Sequence, residues 1–280
     1  MLRDVPGVYF QEEEGYGLRP NIGMRGTGVE RSQKITLMED GVLIAPAPYS
    51  APAAYYFPTM GRMVGVEVRK GSAAIRQGPY TNGGALNLIS AGIPGTWSVN
   101  VNAALGGNDT QRLQALVGDT RNRFGWMLQS FRLSTDGFKH LDDGGDTGTT
   151  VDDYVGKLRF SSLASSQVQQ SVELKLGLTE QVGNETYLGL TNADFSANPF
   201  RRYVGSSLDN ITTEHEQVQL RHFVKPAASF DFTTTLYNNS YSRDWFKNES
   251  VAGVSNRAIL SRPELYPQRL RILRGEIDSE

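Results

Sequence analysis

Cysteine is absent from all 280 residues. That excludes disulfides, thiolate metal sites and a cysteine nucleophile. It suits an oxidising compartment such as the periplasm or cell surface, although cytosolic chains also lack it. No window reaches the roughly 18 consecutive apolar residues of a membrane helix. A signal peptide is not evident either, because Met1-Leu2-Arg3-Asp4 runs straight into DVPGVYFQEEEGYG without an apolar core. By themselves these absences describe a soluble cytosolic protein, unless the chain is a piece of a longer one or crosses a membrane with strands. A net charge of -2 supplies no basic field for nucleic acid.

Catalytic motifs are missing as well. The sequence has no G-x-S-x-G elbow, no P-loop and no H-E-x-x-H. GTGVER, at Gly26 to Arg31, lacks the last glycine of a dinucleotide fingerprint. The three histidines are His140, His215 and His222, and the last two fall on opposite faces of one predicted strand. Scattered carboxylates single out no glycosidase pair. The acidic run HLDDGGDTGTTVDD lacks EF-hand spacing and reads as a solvated loop. The expectation is a protein without enzymatic activity, catalytic residues, resident metal or cofactor.

What is present is β grammar. Helical signal is confined to Ala53–Met60, cut by Pro52 and Pro58. The first ninety residues hold short apolar runs separated by shaped loops. Asp40-Gly41 between ITLM and VLI predicts a tight hairpin. VEVRKGSAAIRQGPYTNGGALNLIS concentrates glycines beside two ordinary strands. Gly26, Gly71, Gly78, Gly83 and Gly84 are the positions where close backbone approach or positive φ is expected.

From about Thr96 the pattern changes to long strands of period two. In WSVNVNAAL, Trp97, Val99, Val101, Ala103 and Leu105 share one face. Val172, Leu174, Leu176 and Leu178 do the same later, as do Phe230, Phe232 and Leu236. One apolar and one polar face fits a sheet between water and either lipid or a core. Short connections at Thr120–Arg123, Leu163–Gln167 and Pro226–Ser229 alternate with long polar insertions at Thr135–Asp152 and Gln181–Thr213. That segregation is the outer-membrane barrel pattern, with a soluble sandwich as the competing reading. About seven strands are too few for a finished barrel, so truncation is expected. The terminal RPELYPQRLRILRGEIDSE reads as a solvated loop.

RPNIGMRGTG, ITLMEDGVLI and VGVEVRKGSAAIRQGPYTNGGALNLIS together resemble the plug domain of TonB-dependent outer-membrane receptors. ETYLGLTNADFSANPFRRY and LDNITTEHEQVQLRH are similar to the ferric-dicitrate receptor branch. The resemblance implies a mixed α/β plug domain over residues 1–93. It implies antiparallel transmembrane β-barrel strands over 94–280, an incomplete and mainly β barrel. It further implies a bacterial outer-membrane location, TonB-dependent transport of a ferric chelate such as ferric dicitrate, and iron only as cargo. The implied partners are that chelate, the TonB-ExbB-ExbD complex and outer-membrane lipid. A TonB box and the later barrel strands of the family are not recognisable here. Alternatives are a receptor for cobalamin or an oligosaccharide, a non-transporting surface signalling or ligand-binding β-protein, and a soluble carbohydrate-binding or hydrolytic domain.

Site residues follow from the same resemblance. Arg25 and Arg69 stand where the family places plug arginines facing barrel glutamates, and a guanidinium suits such a latch. The outward plug loops are expected at Gly28–Lys34, Ala45–Pro58 and Gln77–Thr81. Their candidate ligand contacts are Arg31, Gln33, Tyr49, Tyr55, Tyr56, Gln77 and Tyr80, with Arg201 and Arg202 on an extracellular lid. Tyrosines supply rigid amphipathic surface and arginines suit an anionic chelate.

Overall fold

The computed structural model describes residues 4–12, 14–44, 56–184 and 186–278. Tyr49 and Tyr55 therefore lie outside the described residues. Near the start, β1 (Val8–Gln11) pairs antiparallel with β2 (Asn21–Met24). Next come β3 (Ile35–Glu39), β4 (Val42–Leu43), β5 (Met63–Lys70) and β6 (Gly84–Ser90). These form one mixed sheet in the order β4-β3-β6-β5, with β3 and β6 parallel. Asp40 and Gly41 both adopt positive φ, 51° and 81°, and Glu39 pairs with Val42. That is the two-residue hairpin the Asp-Gly pair favours. Ile22, Met24, Ile35, Leu37, Phe57, Leu86 and Leu88 make the domain's core.

Glycine is needed at particular points of this domain. Gly71 has φ 81° at the end of β5. At Gly84 a Cβ would stand 2.5 Å from the Arg69 carbonyl oxygen of β5 and 2.7 Å from the Met24 sulfur of β2, so the close approach of those two strands to β6 requires the bare backbone there. The expected helix around Ala53–Met60 does not form over its described part. Pro58 cannot donate to a helix, and only a 3-10 turn at Met60–Arg62 follows.

The rest of the chain builds one antiparallel wall, with decorations at one end. In chain order its elements are β7 (Ser98–Leu105), β8 (Gln111–Arg121), β9 (Phe124–Thr135), the short β10 (His140–Leu141), β11 (Thr149–Ser161) and β12 (Gln169–Gly183). Helix α1 (Asn192–Ala197) and the two-residue β13 (Arg201–Arg202) precede β14 (Asn210–Ala227) and β15 (Phe230–Phe246). Last come β16 (Ser250–Val251), β17 (Val254–Ser255), α2 (Asn256–Ser261) and α3 (Pro267–Leu273). Seven strands pair as β15-β14-β12-β11-β9-β8-β7, and the sheet does not close on itself.

Register explains the two faces of the wall. Leu128, Gly156, Leu176 and Val218 align in one outward row, and Trp126, Leu158, Leu174 and Leu220 in the row below. Most of these outward apolar side chains are exposed. Nearer the long loops the outward row becomes Arg132, Asp152, Glu180 and Glu214. An apolar band that ends in a charged row is what a bilayer boundary demands. The opposite face carries polar side chains and packs on the N-terminal domain.

The C-terminal stretch departs from the expected solvated loop. α2 and α3 bury Ile259, Leu270 and Leu273 against Leu188, Tyr203 and Val251 from the preceding long loops. Pro267 opens α3, and the Ser255 side chain accepts from the Ala258 N–H at the start of α2. Such caps, with apolar residues spaced three apart, favour helix over loop once a partner surface exists.

Candidate functional site

The N-terminal domain meets the wall through buried charges. Gly61 lies so close to Phe131 of β9 that a Cβ would stand 1.9 Å from the ring. This approach presses the Met60–Arg62 turn onto the wall and carries Arg62 to Asp153, the cross-strand partner of Phe131. Arg62 Nε donates to the Asp153 carboxylate at 2.8 Å. Its two terminal nitrogens donate to both Glu39 oxygens at 2.6 and 2.9 Å. Lys175 of β12 donates to Glu39 and, at 2.7 Å, to Asp40. Lys157 of β11 donates to Ser90 Oγ and the Ala91 carbonyl, each at 2.8 Å, and lies 3.7 Å from Asp40. Asp40 also accepts from the Ser90 N–H at 2.9 Å and from its hydroxyl at 2.5 Å.

Three cations and three carboxylates thus share one buried seam, each domain contributing both signs. Exposure is 0% for the Glu39 side chain, 1% for Asp153 and 3% for Arg62. Burial opposes ionisation of Glu39, but the Arg62 and Lys175 charges outweigh it and hold the carboxyl at about 2. Burial likewise opposes the Asp40 charge, and Lys175 and Lys157 still hold its pKa far below the usual carboxylate range. Buried charges arranged this way cost little while paired and a great deal when one partner is removed.

Beside this cluster the Tyr56 ring stacks on His215 of β14, with centroids 3.8 Å apart and planes 12° apart. Its hydroxyl lies 3.4 Å from Thr179 Oγ1. Arg221 donates to the Asp40 carbonyl at 2.5 Å, and Asn239 donates to the Leu43 carbonyl at 2.7 Å. Residues on β11, β12, β14 and β15 therefore all grip the hairpin or its surroundings.

Toward the long loops a cavity of about 220 Å³ separates the domain from the wall. Tyr16, Tyr56, Met60, Arg112, Gln181 and Thr213 are among its lining residues. The Tyr16 hydroxyl donates to the Thr147 carbonyl at 3.0 Å, and its ring meets Phe138 edge-on. Burial, helped by the Arg202 charge, lowers the nearby Lys139 amine to about 8.

The predicted contacts are dispersed. Arg31 and Tyr80 are exposed, whereas Gln33 and Gln77 are half-buried. Tyr56 is 5% exposed and belongs to the seam, because stacking on His215 takes its faces away from any open floor. Arg201 is held by Asp142 at 2.8 Å and Asp194 at 3.0 Å, and Arg202 donates to Thr186 Oγ1 at 3.1 Å. Asp142 of the acidic loop is therefore an ion-pair partner, and among the described residues no carboxylate group is arranged for a metal. Arg25 packs over Gly71, and both Arg25 and Arg69 are exposed. The charged seat seen here is built from Glu39, Asp40, Arg62, Asp153, Lys157 and Lys175, none of which the motif reading selected. Their signal was faint: Lys157 and Lys175 are polar members of alternating strands, a setting that reads as solvated. Tyr16 in EEEGYG was missed too, although an aromatic between glycines is a shaped-loop signal.

The TonB-dependent receptor plug domain family matches residues 1–85. The vitamin B12 transporter BtuB of Photobacterium profundum is 28% identical over 169 residues, covering 55% of this chain and 27% of its own. The ferric citrate transporter FecA in its unliganded form superposes with a TM-score of 0.73 at 21% identity, over 89% of this chain and 38% of that one. The ferric yersiniabactin uptake receptor FyuA from Yersinia pestis gives 0.63 at 16%, over 88% and 39%. The chain thus spans about a quarter to two-fifths of the length of these relatives, which are transporters and not enzymes. Residues 1–85 thus match a TonB-dependent receptor plug domain, and the open antiparallel wall behind them, joined to them by the charged seam, has the fold of the corresponding part of these outer-membrane transporters.

Proposed function

We propose that this chain is the gating portion of a transporter that takes an anionic ferric chelate, ferric dicitrate or a similar siderophore, across the outer membrane. Iron is cargo and the receptor needs no resident cofactor. Energy comes from TonB with ExbB and ExbD, which pull the plug from its seat, while the apolar band faces lipid. The observation that carries this reading is the seam: a plug held by paired buried charges is stable when closed and can be released as a unit. Opening leaves wall cations facing the lumen, which suits an anionic cargo. Arg31, Gln33, Gln77 and Tyr80, with Tyr49 and Tyr55, are proposed ligand contacts, and Arg25 and Arg69 a further latch toward other parts of the barrel. The likeness to BtuB supports cobalamin as the second reading.

The test is uptake of radiolabelled ferric citrate and of labelled cobalamin by cells producing the receptor, with and without TonB. TonB-dependent iron accumulation supports the proposal. Cobalamin uptake alone replaces the substrate, and binding without uptake of either replaces transport by surface signalling.

A further inference from the structure

The luminal face of the wall carries a like-charged pair whose direct hydrogen-bond and ion-pair partners, among the described residues, all belong to the plug. Lys157 and Lys175 stand directly opposite each other in the β11–β12 register. Like charges at such positions destabilise a sheet unless a counter-charge sits between them. Here that counter-charge is Asp40, 2.7 Å from the Lys175 amine and 3.7 Å from that of Lys157. Every polar group that the two amines touch, on Glu39, Asp40, Ser90 and Ala91, belongs to the plug.

The wall has little to replace them. Asp153 is four residues up β11, about 13 Å away at strand rise, and is occupied with Thr179. Two residues in the other direction, Glu173 lies between Arg159 and Arg221 in register. This stretch of three adjacent strands therefore sets Lys157, Lys175, Arg159 and Arg221 against Glu173. Once the plug shifts, two ammonium groups face the lumen with no fixed partner.

We propose that Lys157 and Lys175 form a carboxylate-binding site on the barrel wall, filled by Asp40 while the plug is seated and by an acidic group of the passing chelate once it moves. The chelate as second occupant rests on the transport reading above; the site itself does not. Asp40 acts as a built-in ligand, so cargo entry and plug release compete for the same two amines.

Chemical rescue tests the site in the detergent-solubilised receptor. Asp40→Gly keeps the left-handed turn accessible and leaves a carboxylate-sized space between the amines. Its thermal midpoint is expected to fall, and sodium formate to restore most of the loss where sodium chloride at equal ionic strength does not. Asp40→Asn fills the space without charge and should show no formate-specific recovery. Adding Lys157→Gln and Lys175→Gln to Asp40→Gly should abolish the formate effect. Equal responses to formate and chloride, or rescue that survives loss of both lysines, would overturn the site. Uptake decides the second occupant: Lys157→Gln/Lys175→Gln should slow ferric citrate entry several-fold more than it weakens surface binding. An unmodified receptor that takes up no ferric chelate removes the transport reading and that occupant together, while the formate result still decides the site.

Discussion

Replacing Arg62 by methionine tests whether the charged seam seats the plug. The substitution keeps most of the side-chain volume and removes the guanidinium that bridges Glu39 and Asp153. Glu39 keeps Lys175, but Asp153 is left with the Thr179 hydroxyl as its described partner. Breaking a buried ion pair in this way costs about 3–5 kcal/mol. At about 1.36 kcal/mol per decade, local opening at the seam should become about 150- to 5,000-fold more frequent. Hydrogen exchange of the amides in β3 and of residues 60–63 reads that opening in the solubilised receptor. Adding Glu39→Gln and Asp153→Asn should recover part of the protection, since no unpaired charge then remains. Unchanged exchange in Arg62→Met would refute the argument and shift the seat to apolar contacts such as Gly61 on Phe131.

Acid should act on the same seam. The folded Glu39 carboxyl is held at about 2 against an ordinary value of 4.5, so its contribution is complete above about 4.5 and vanishes as pH falls toward 2. Asp40 is depressed in the same sense. Exchange protection of β3 should accordingly hold from neutral pH to about 4.5 and decline below it, and a decline centred near pH 6 would contradict this assignment. Gly61→Ala places a methyl 1.9 Å from a Phe131 ring carbon. It should cost about 1–3 kcal/mol by overpacking and lower the thermal midpoint, and Phe131→Leu should relieve part of the loss. In the long loops, Asp194 receives Arg201 at 3.0 Å, Arg274 at 2.6 Å and the Tyr203 hydroxyl. Asp194→Ala should weaken this lobe by about 1–3 kcal/mol and speed proteolytic nicking of residues 186–209 and 256–274 together. Nicking confined to one of those stretches would mean that they do not share a core.

Much of the architecture was written locally. Period-two alternation in WSVNVNAAL and VELKLGL specifies strands with one lipid-compatible face, because side chains alternate whatever the neighbouring strand. The Asp40-Gly41 pair specifies its hairpin, since few other dipeptides tolerate two positive φ values in succession. Unequal loop lengths indicated which end of the wall carries the decorations. The Leu270 and Leu273 pair, by contrast, sits among charges and becomes apolar core only because Tyr203 and Leu188 arrive from more than sixty residues upstream.

The candidate site was the least legible part. Tyr56 read as an open contact because its run is rich in tyrosine and proline, and His215 decided otherwise. Arg62, Lys157 and Lys175 each occupy a sequence context in which a charge is normally solvated. Their partners lie 23 to 136 residues away, and no spacing rule connects them. The sequence by itself determined the strands, their faces and the plug-like hairpin, because those depend on backbone preference and nearest neighbours. Tertiary structure alone decided which charges meet, because a buried ion pair is set by where two surfaces touch.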